Sequence, residues 1–330
     1  MAAGKLLRFT GAGVILLVLL MGLGCMHLKQ VSPGPGPKEL YQPKGGSGAV
    51  QGLAPAFVIH GWDQAYNRIG SPQASLDDQG LEQIAMDPAR PAMYWRAVPF
   101  KTAKGAYTAY IYRVHFPETP VSLIPFFIGA GRNMGLFVVV IADQAGRPVL
   151  VSTLGTCGCY TSLTPTSYTP AWAYPKAWQD KPVELYGETL PARLDYGGSK
   201  QPRLVLEVRP GEHRVMGLNV QPAARLGEPR LFREHPTPLL PAAELRRLPL
   251  KGGTTSLFYE DGALEGHVKG AWKPWETLLI GWWCLDGTVG MDKAYGVKGN
   301  PLYTSLQPWY RLSSDLNDLP GFLRFWGWNF

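Results

Sequence analysis

The sequence predicts an α+β fold: a single domain on a mainly antiparallel sheet of hairpins, with a few helices toward the C-terminus. Three observations carry that expectation. Short β-branched or alternating runs recur between Gly-, Pro- and Asp-containing turns, as in Phe137 to Ala142 (FVVVIA) and Val149 to Leu154 (VLVSTL) around Asp143 to Pro148. Helical periodicity is confined to the end of the chain, and no internal repeat of twenty to fifty residues is present. Strands followed by helices give this class.

Taken in order, residues 1–24 read as a signal peptide or membrane anchor and 25–56 as a flexible linker, because Pro-Gly-Pro-Gly-Pro and Gly-Gly-Ser-Gly offer neither periodicity nor apolar surface. About thirty such residues reach roughly 30 Å as coil. The folded domain is expected over 57–330. It opens at Phe57-Val58-Ile59-His60, then pairs Met93 to Phe100 with Ala106 to Phe116. In the second run Tyr110, Tyr112, Val114 and Phe116 alternate with Ile111, Arg113 and His115, so His115 is placed on the more polar face of a half-buried strand. Thr161 to Pro202 reads as an irregular excursion. Arg203 to Arg209 with Arg214 to Val220, and Thr254 to Tyr259 with His267 to Trp272, read as further hairpins, and Pro241 to Leu248 as a short helix. Pro274 to Asp286 has the best helical pattern, with Trp275, Leu278, Leu279 and Trp282 on one face and Ile280 and Cys284 opposite, which implies burial on both sides. A last helix over Ser314 to Trp326, capped by Ser313 or Ser314, precedes the packed aromatics Phe325, Trp326, Trp328 and Phe330.

Compartment is read from the N-terminus. Lys5 and Arg8 precede an apolar run, and small residues lead into a cysteine over Gly22-Leu23-Gly24-Cys25. This stretch resembles a bacterial lipoprotein signal peptide, matching the lipobox at Gly24 and Cys25 with leucine displaced by one place. The resemblance implies lipidation at Cys25 by diacylglycerol and fatty acid such as palmitate. An uncleaved helix is the other reading, since Phe9 to Leu28 is close to the ~20 residues that cross a bilayer. Either way the chain is expected to be held by a membrane at the bacterial cell envelope, facing the periplasm or exterior, because the two cations favour a cytoplasmic N-terminus.

Composition narrows the classes. With 45% apolar residues the chain is globular. Without Lys5 and Arg8 there remain 30 basic against 25 acidic residues, a net charge of +5 spread along the chain with no basic block, which argues against nucleic acid as a partner. Membrane contact and an envelope protein partner stay open, with Trp282, Trp283, Trp326 and Trp328 as candidates for apolar contact.

If Cys25 carries lipid, Cys157, Cys159 and Cys284 remain, and one disulfide plus a leftover thiol is the simplest outcome in an oxidising compartment. The favoured arrangement pairs one of Cys157 and Cys159 with Cys284. The alternatives are a soft-metal site on all three sulfurs, or nucleophilic chemistry by Cys157 or Cys159 with His60 or His115 as base. The loop from His60 to Gly70 holds the ligand-binding candidates Asp63, Tyr66, Asn67 and Arg68, of which Asn67 and Arg68 could hold a carboxylate or phosphate while His60 transfers protons; in the blander reading Asn and Asp satisfy the loop's own backbone and the arginine stacks on tryptophan or tyrosine. No G-x-S-x-G with strand context, S-x-x-K, H-E-x-x-H, P-loop, G-x-G-x-x-G or C-x-x-C-H occurs. No cofactor is implied. The expectation is a membrane-tethered envelope lipoprotein that binds or scaffolds without catalysis, with an extracytoplasmic cysteine- or metal-dependent enzyme as the alternative.

Overall fold

A computed structural model of the chain describes residues 36–122, 126–198, 200–226, 232–295 and 308–330. Residues 1–24, Cys25 and the first part of the expected linker lie outside the described residues. In chain order the strands are β1 (Lys38–Lys44), β2 (Ala56–His60), β3 (Ser71–Leu76), β4 (Glu82–Asp87), β5 (Met93–Lys101), β6 (Ala106–Thr119), β7 (Gly131–Ala142), β8 (Pro148–Gly155), β9 (Ser162–Pro165), β10 (Val183–Leu185), β11 (Glu188–Leu190), β12 (Pro202–Val208), β13 (Val215–Pro222), β14 (Arg233–Pro241), β15 (Leu248–Leu250) and β16 (Gly253–Thr255). The helices are short: α1 (Gly48–Leu53), α2 (Ala223–Leu226), α3 (Pro274–Leu279), α4 (Gly281–Cys284) and α5 (Leu319–Phe325).

Strands dominate. Ten of them form one sheet in the order β13-β12-β2-β1-β14-β5-β6-β7-β8-β9. It is a mixed sheet: β12 with β2, β1 with β14, and β14 with β5 run parallel, so an antiparallel array of hairpins does not describe it. The physical reason is β14, a late strand that inserts between β1 and β5. Parallel pairing needs a long crossover rather than a tight turn, and turn signals therefore give no notice of it.

The expected linker also needs correction, because its second half is folded. β1 sits inside the sheet, with Leu40 opposite Val58 of β2 on one side and Tyr41 opposite His235 of β14 on the other. Leu40 and Tyr41 are buried, and Tyr41 accepts a 2.8 Å hydrogen bond from the Trp62 indole. Two apolar residues between Pro-Gly and Gly-Gly-Ser neighbours are too few to register as a strand, yet both faces of this one are covered.

One cluster of buried side chains draws on nearly the whole strand order, from Leu204 and Leu206 of β12 through Phe57, Tyr41, Met93, Tyr112 and Val138 to Val151 of β8, so the sheet curls around it. The stretch read as an irregular excursion lies between the two margins: Leu190, Leu194 and Tyr196 complete the same cluster. The outer face of β6, β7 and β8 is covered by a second cluster, in which Ile111, Val139 and Ile141 meet Leu319, Phe322, Leu323, Trp328 and Phe330. Apolar material on both sides explains why β7 and β8 read as nearly continuous Val/Ile/Leu runs. It also overturns the half-buried reading of β6, since Arg113 and His115 are 4% and 0% exposed.

The C-terminal helices differ from expectation in extent. The pattern over Pro274 to Asp286 breaks at Ile280 into α3 and α4, and its apolar face is not covered. Leu278, Trp282 and Trp283 are exposed, whereas Gly281 and Cys284 are buried. Helix α5 is capped by Asp318, whose carboxylate accepts from the Gly321 N–H at 2.8 Å, and not by Ser313 or Ser314. Its Pro320 lies in the first turn, where no helical N–H is lost. The expected pairing of Thr254 to Tyr259 with His267 to Trp272 holds only near the turn, where Phe258 bridges Val268 antiparallel, while Thr254 and Thr255 pair with Pro249 and Leu248.

Candidate functional site

Two concave features stand out: a small hollow beneath the cysteine pair, and a cleft on the surface beside α1. The hollow begins where β8 ends. After Gly155 the chain makes a tight turn in which the Gly158 N–H donates to the Gly155 carbonyl at 2.7 Å and the Gly155 N–H to the Cys159 carbonyl at 2.8 Å. This brings Cys157 and Cys159 together in a disulfide. Gly155 is required there, because a Cβ would lie 2.8 Å from Cys159 Sγ and 3.1 Å from Cys157 Sγ. Cys284 is a buried free thiol whose Sγ faces the Gly281 carbonyl at 3.7 Å. The bond thus joins Cys157 to Cys159 and leaves Cys284 aside, contrary to the pairing favoured from sequence. With two sulfurs consumed the three-sulfur metal site is not formed, and no group of three His, Cys, Asp or Glu residues able to hold a metal occurs among the described residues.

The hollow encloses about 20 Å³ and is lined by Cys157, Cys159, Tyr160, Glu212, His213 and Lys273, among others. That is room for about one water. The imidazole brought to the sulfurs is therefore His213, and neither His60 nor His115 lines this site. His213 stacks on Phe116 at 4.2 Å between centroids, and burial pulls its pKa down to about 3, so it is neutral. Tyr160 and His213 both hold left-handed backbone, at φ 54° and 55°.

Around the hollow the charges are already paired. Glu188 accepts from both Arg209 and Arg214, the latter at 2.9 and 3.1 Å, while Arg214 also meets Glu212 at 2.8 Å. Burial raises the Glu212 pKa against the pull of Arg214. Behind Gly135 and Lys273, which line the hollow, Asp292 accepts from the Gly135 N–H at 3.1 Å and from Thr156 Oγ1, and lies 3.7 Å from Lys273 Nζ. Its burial raises the carboxyl pKa to about 6, with Lys273 and Arg113 opposing.

The other sequence candidates are spent locally. His60 Nε2 and Glu207 Oε2 are 2.8 Å apart across β2 and β12. His115 accepts from Arg113 Nε at 2.7 Å, and both are sealed behind the Lys293 carbonyl, which accepts from Arg113 Nη1 at 2.7 Å. In the His60 to Gly70 loop, Asn67 donates to the Gly61 carbonyl and accepts from the Gly211 N–H, each at 2.8 Å. Arg68 donates to the Trp62 and Asp63 carbonyls and lies 4.1 Å over the Trp62 ring. Asp63 accepts from the Gln64 amide, and Tyr66 is half-buried with its pKa raised by that burial. These four side chains build the loop and do not converge on a ligand.

The cleft was not expected from sequence. It holds about 630 Å³ between α1 with its Gly46-Ser47 lead, the β7–β8 turn at Gly146 to Pro148, Tyr168, Tyr196 and the start of β12 at Gln201 to Arg203. Arg203 Nη1 donates to the Gln51 and Ala54 carbonyls, both at 2.7 Å, which fixes α1 against β12 without neutralising the guanidinium. Burial lowers its pKa, with Tyr112 and Tyr196 opposing. Arg147 reaches the rim, paired with Asp143 at 2.7 Å. Among the described residues no His, Cys, Asp, Glu or Lys lines the cleft. The residues that make it come from stretches read as linker, turn and excursion, and only the density of Gly, Tyr and Arg in those stretches hinted at it.

No described helix is long and apolar enough to cross a membrane. Comparison with protein-family models, with curated proteins and with solved structures found no match to this chain.

Proposed function

We propose that this chain is a membrane-tethered bacterial envelope lipoprotein, lipidated at Cys25, whose folded part binds a ligand or protein partner and performs no chemistry. The observation that carries the binding half is the contrast in lining: the cleft large enough for a ligand holds arginine, tyrosine and glycine but no nucleophile with a base beside it. The Arg203 guanidinium, which meets only neutral carbonyls, and two tyrosines, with no carboxylate among the described lining residues, suit a ligand bearing a carboxylate or phosphate. The alternative, a cysteine enzyme, has His213 beside the cysteines in its favour, but the two sulfurs are bonded to each other in a hollow with room for one water.

Two measurements test the proposal separately. Metabolic labelling with a fatty acid should mark the native chain and not Cys25→Ala; equal incorporation removes the lipid anchor. For the cleft, Gly52→Trp is the probe, because Gly52 lines it and has open space where a Cβ would go. A strain carrying only Gly52→Trp should behave as a deletion strain while the protein accumulates normally. Full complementation by Gly52→Trp refutes the cleft as the working site.

A further inference from the structure

The segment Pro274 to Leu285 exposes more apolar surface than the core can account for. Leu278, Trp282, Trp283 and Leu285 are 64%, 65%, 48% and 79% exposed, and Phe126, at 48%, extends the same face through its contact with Trp275 at 6.0 Å between centroids. The one charged residue in the segment is Glu276. Its carboxylate is turned inward: a Cβ on Gly129 would meet Oε1 at 3.3 Å, and one on Gly290 would collide with Oε2. Neighbouring Lys273 and Asp286 are buried. The outward surface of α3 and α4 is therefore apolar and uncharged, and the break at Ile280 presents adjacent tryptophans to solvent.

The position of this face relative to the N-terminus indicates what covers it. Pro37, one residue ahead of β1, accepts from the Trp62 N–H at 3.2 Å. Gly61 lies against Pro210, Gly211 against Phe127, and the next ring, Phe126, meets Trp275. A short run of contacts thus joins the start of the folded unit to the apolar face. Thirteen steps separate Cys25 from Lys38, at most about 45 Å when fully extended. A unit of this size is about 50 Å across, so the far pole is beyond reach of a membrane that holds Cys25.

We propose that the α3–α4 face rests on the lipid bilayer that holds the N-terminus, with Trp282 and Trp283 at headgroup level and Leu278 and Leu285 toward the acyl chains. Tryptophan favours that level because its ring is apolar and its N–H polar. The inference depends on the membrane-tether reading above.

The test uses the full chain reconstituted in vesicles of phosphatidylethanolamine and phosphatidylglycerol whose acyl chains are brominated. No tryptophan precedes Trp62, so the N-terminal anchor is silent in this assay. The unmodified chain should float with the vesicles and be quenched. The double variant Trp282→Phe, Trp283→Phe should float equally and show about twofold less quenching. Flotation with equal quenching of the double variant and the parent overturns the membrane face and leaves the tether standing. Failure to float overturns both. A parent that elutes as a dimer, with the double variant monomeric and no difference in quenching, assigns the face to a second copy and overturns the bilayer as occupant.

Discussion

The hollow beneath Cys157 and Cys159 and the cleft beside α1 are built from opposite materials. Titratable groups crowd in and around the first, and most of the charges are paired: Glu188 with two arginines, Glu212 with Arg214, and, behind Gly135, Asp292 with Lys273, Gly135 and Thr156, while His213 is neutral and stacked on Phe116. The second is lined by two arginines and two tyrosines and, among the described residues, by no His, Cys, Asp, Glu or Lys, and its volume is about thirty times larger, about 630 against 20 Å³. Density of reactive residue types is therefore a poor guide to a working site in this fold. Buried ions have to be paired to be tolerated, and a fully paired cluster has no capacity left for a ligand.

The comparison breaks most directly through Glu188. Its carboxylate is shared by Arg209 and Arg214, all of them nearly inaccessible. Glu188→Ala leaves two buried cations with one carboxylate, and about 3–5 kcal/mol of stability should be lost in urea denaturation. A loss below about 1 kcal/mol would mean that water reaches the cluster, and the hollow would then have to be reconsidered as accessible. Gly155→Ala comes next, at about 1–3 kcal/mol, because its Cβ has only sulfur to displace, 2.8 Å away. Replacing Cys157 and Cys159 together by alanine should cost about 1.5 kcal/mol, since so short a loop frees little chain entropy.

Titration sharpens the same contrast without changing a contact in the parent. The Asp292 carboxyl, raised from 3.8 to about 6, holds its proton more tightly in the folded chain than in the unfolded one. Stability from this group is present in full below about pH 4 and is lost as pH rises toward 6. Carboxylates whose pKa is lowered, such as Glu207 beside His60, act in the opposite sense, so the observable is a difference. The stability of the parent minus that of Asp292→Asn should fall between pH 4 and 6 and level off above. A flat difference would show that Asp292 is solvated and that water reaches behind Gly135 and Lys273.

Local periodicity made β6, β7, β8, β12 and β13 legible, because each carries enough β-branched or alternating residues to be read without its neighbours. What escaped was decided by long-range pairing. β1 has only Leu40 and Tyr41 to bury and owes its place to β2 and β14 on either side. Parallel insertion of β14 has no turn signature. The Cys157–Cys159 bond depends on Gly155 leaving room for sulfur, a requirement that spacing alone does not express. The partners of His60 and Asn67, Glu207 and Gly211, lie 147 and 144 positions away, a distance over which spacing carries no information. The cleft was least legible, since its walls are glycine, tyrosine and arginine from stretches scattered between Gly46 and Ala223.

The smallest expected effect lies in the cleft itself and is informative for that reason. Arg147→Ala removes a surface pair with Asp143, and Gly52→Trp adds a side chain into open space in a helix whose glycine is entropically unfavourable. Each should change stability by less than about 0.5 kcal/mol. Against the several kcal/mol expected at Glu188, such indifference is what separates a surface kept for contact from one kept for folding. If Gly52→Trp were instead to lower stability as Gly155→Ala does, α1 would have to close over the cleft in solution, and its volume would belong to the core rather than to a ligand.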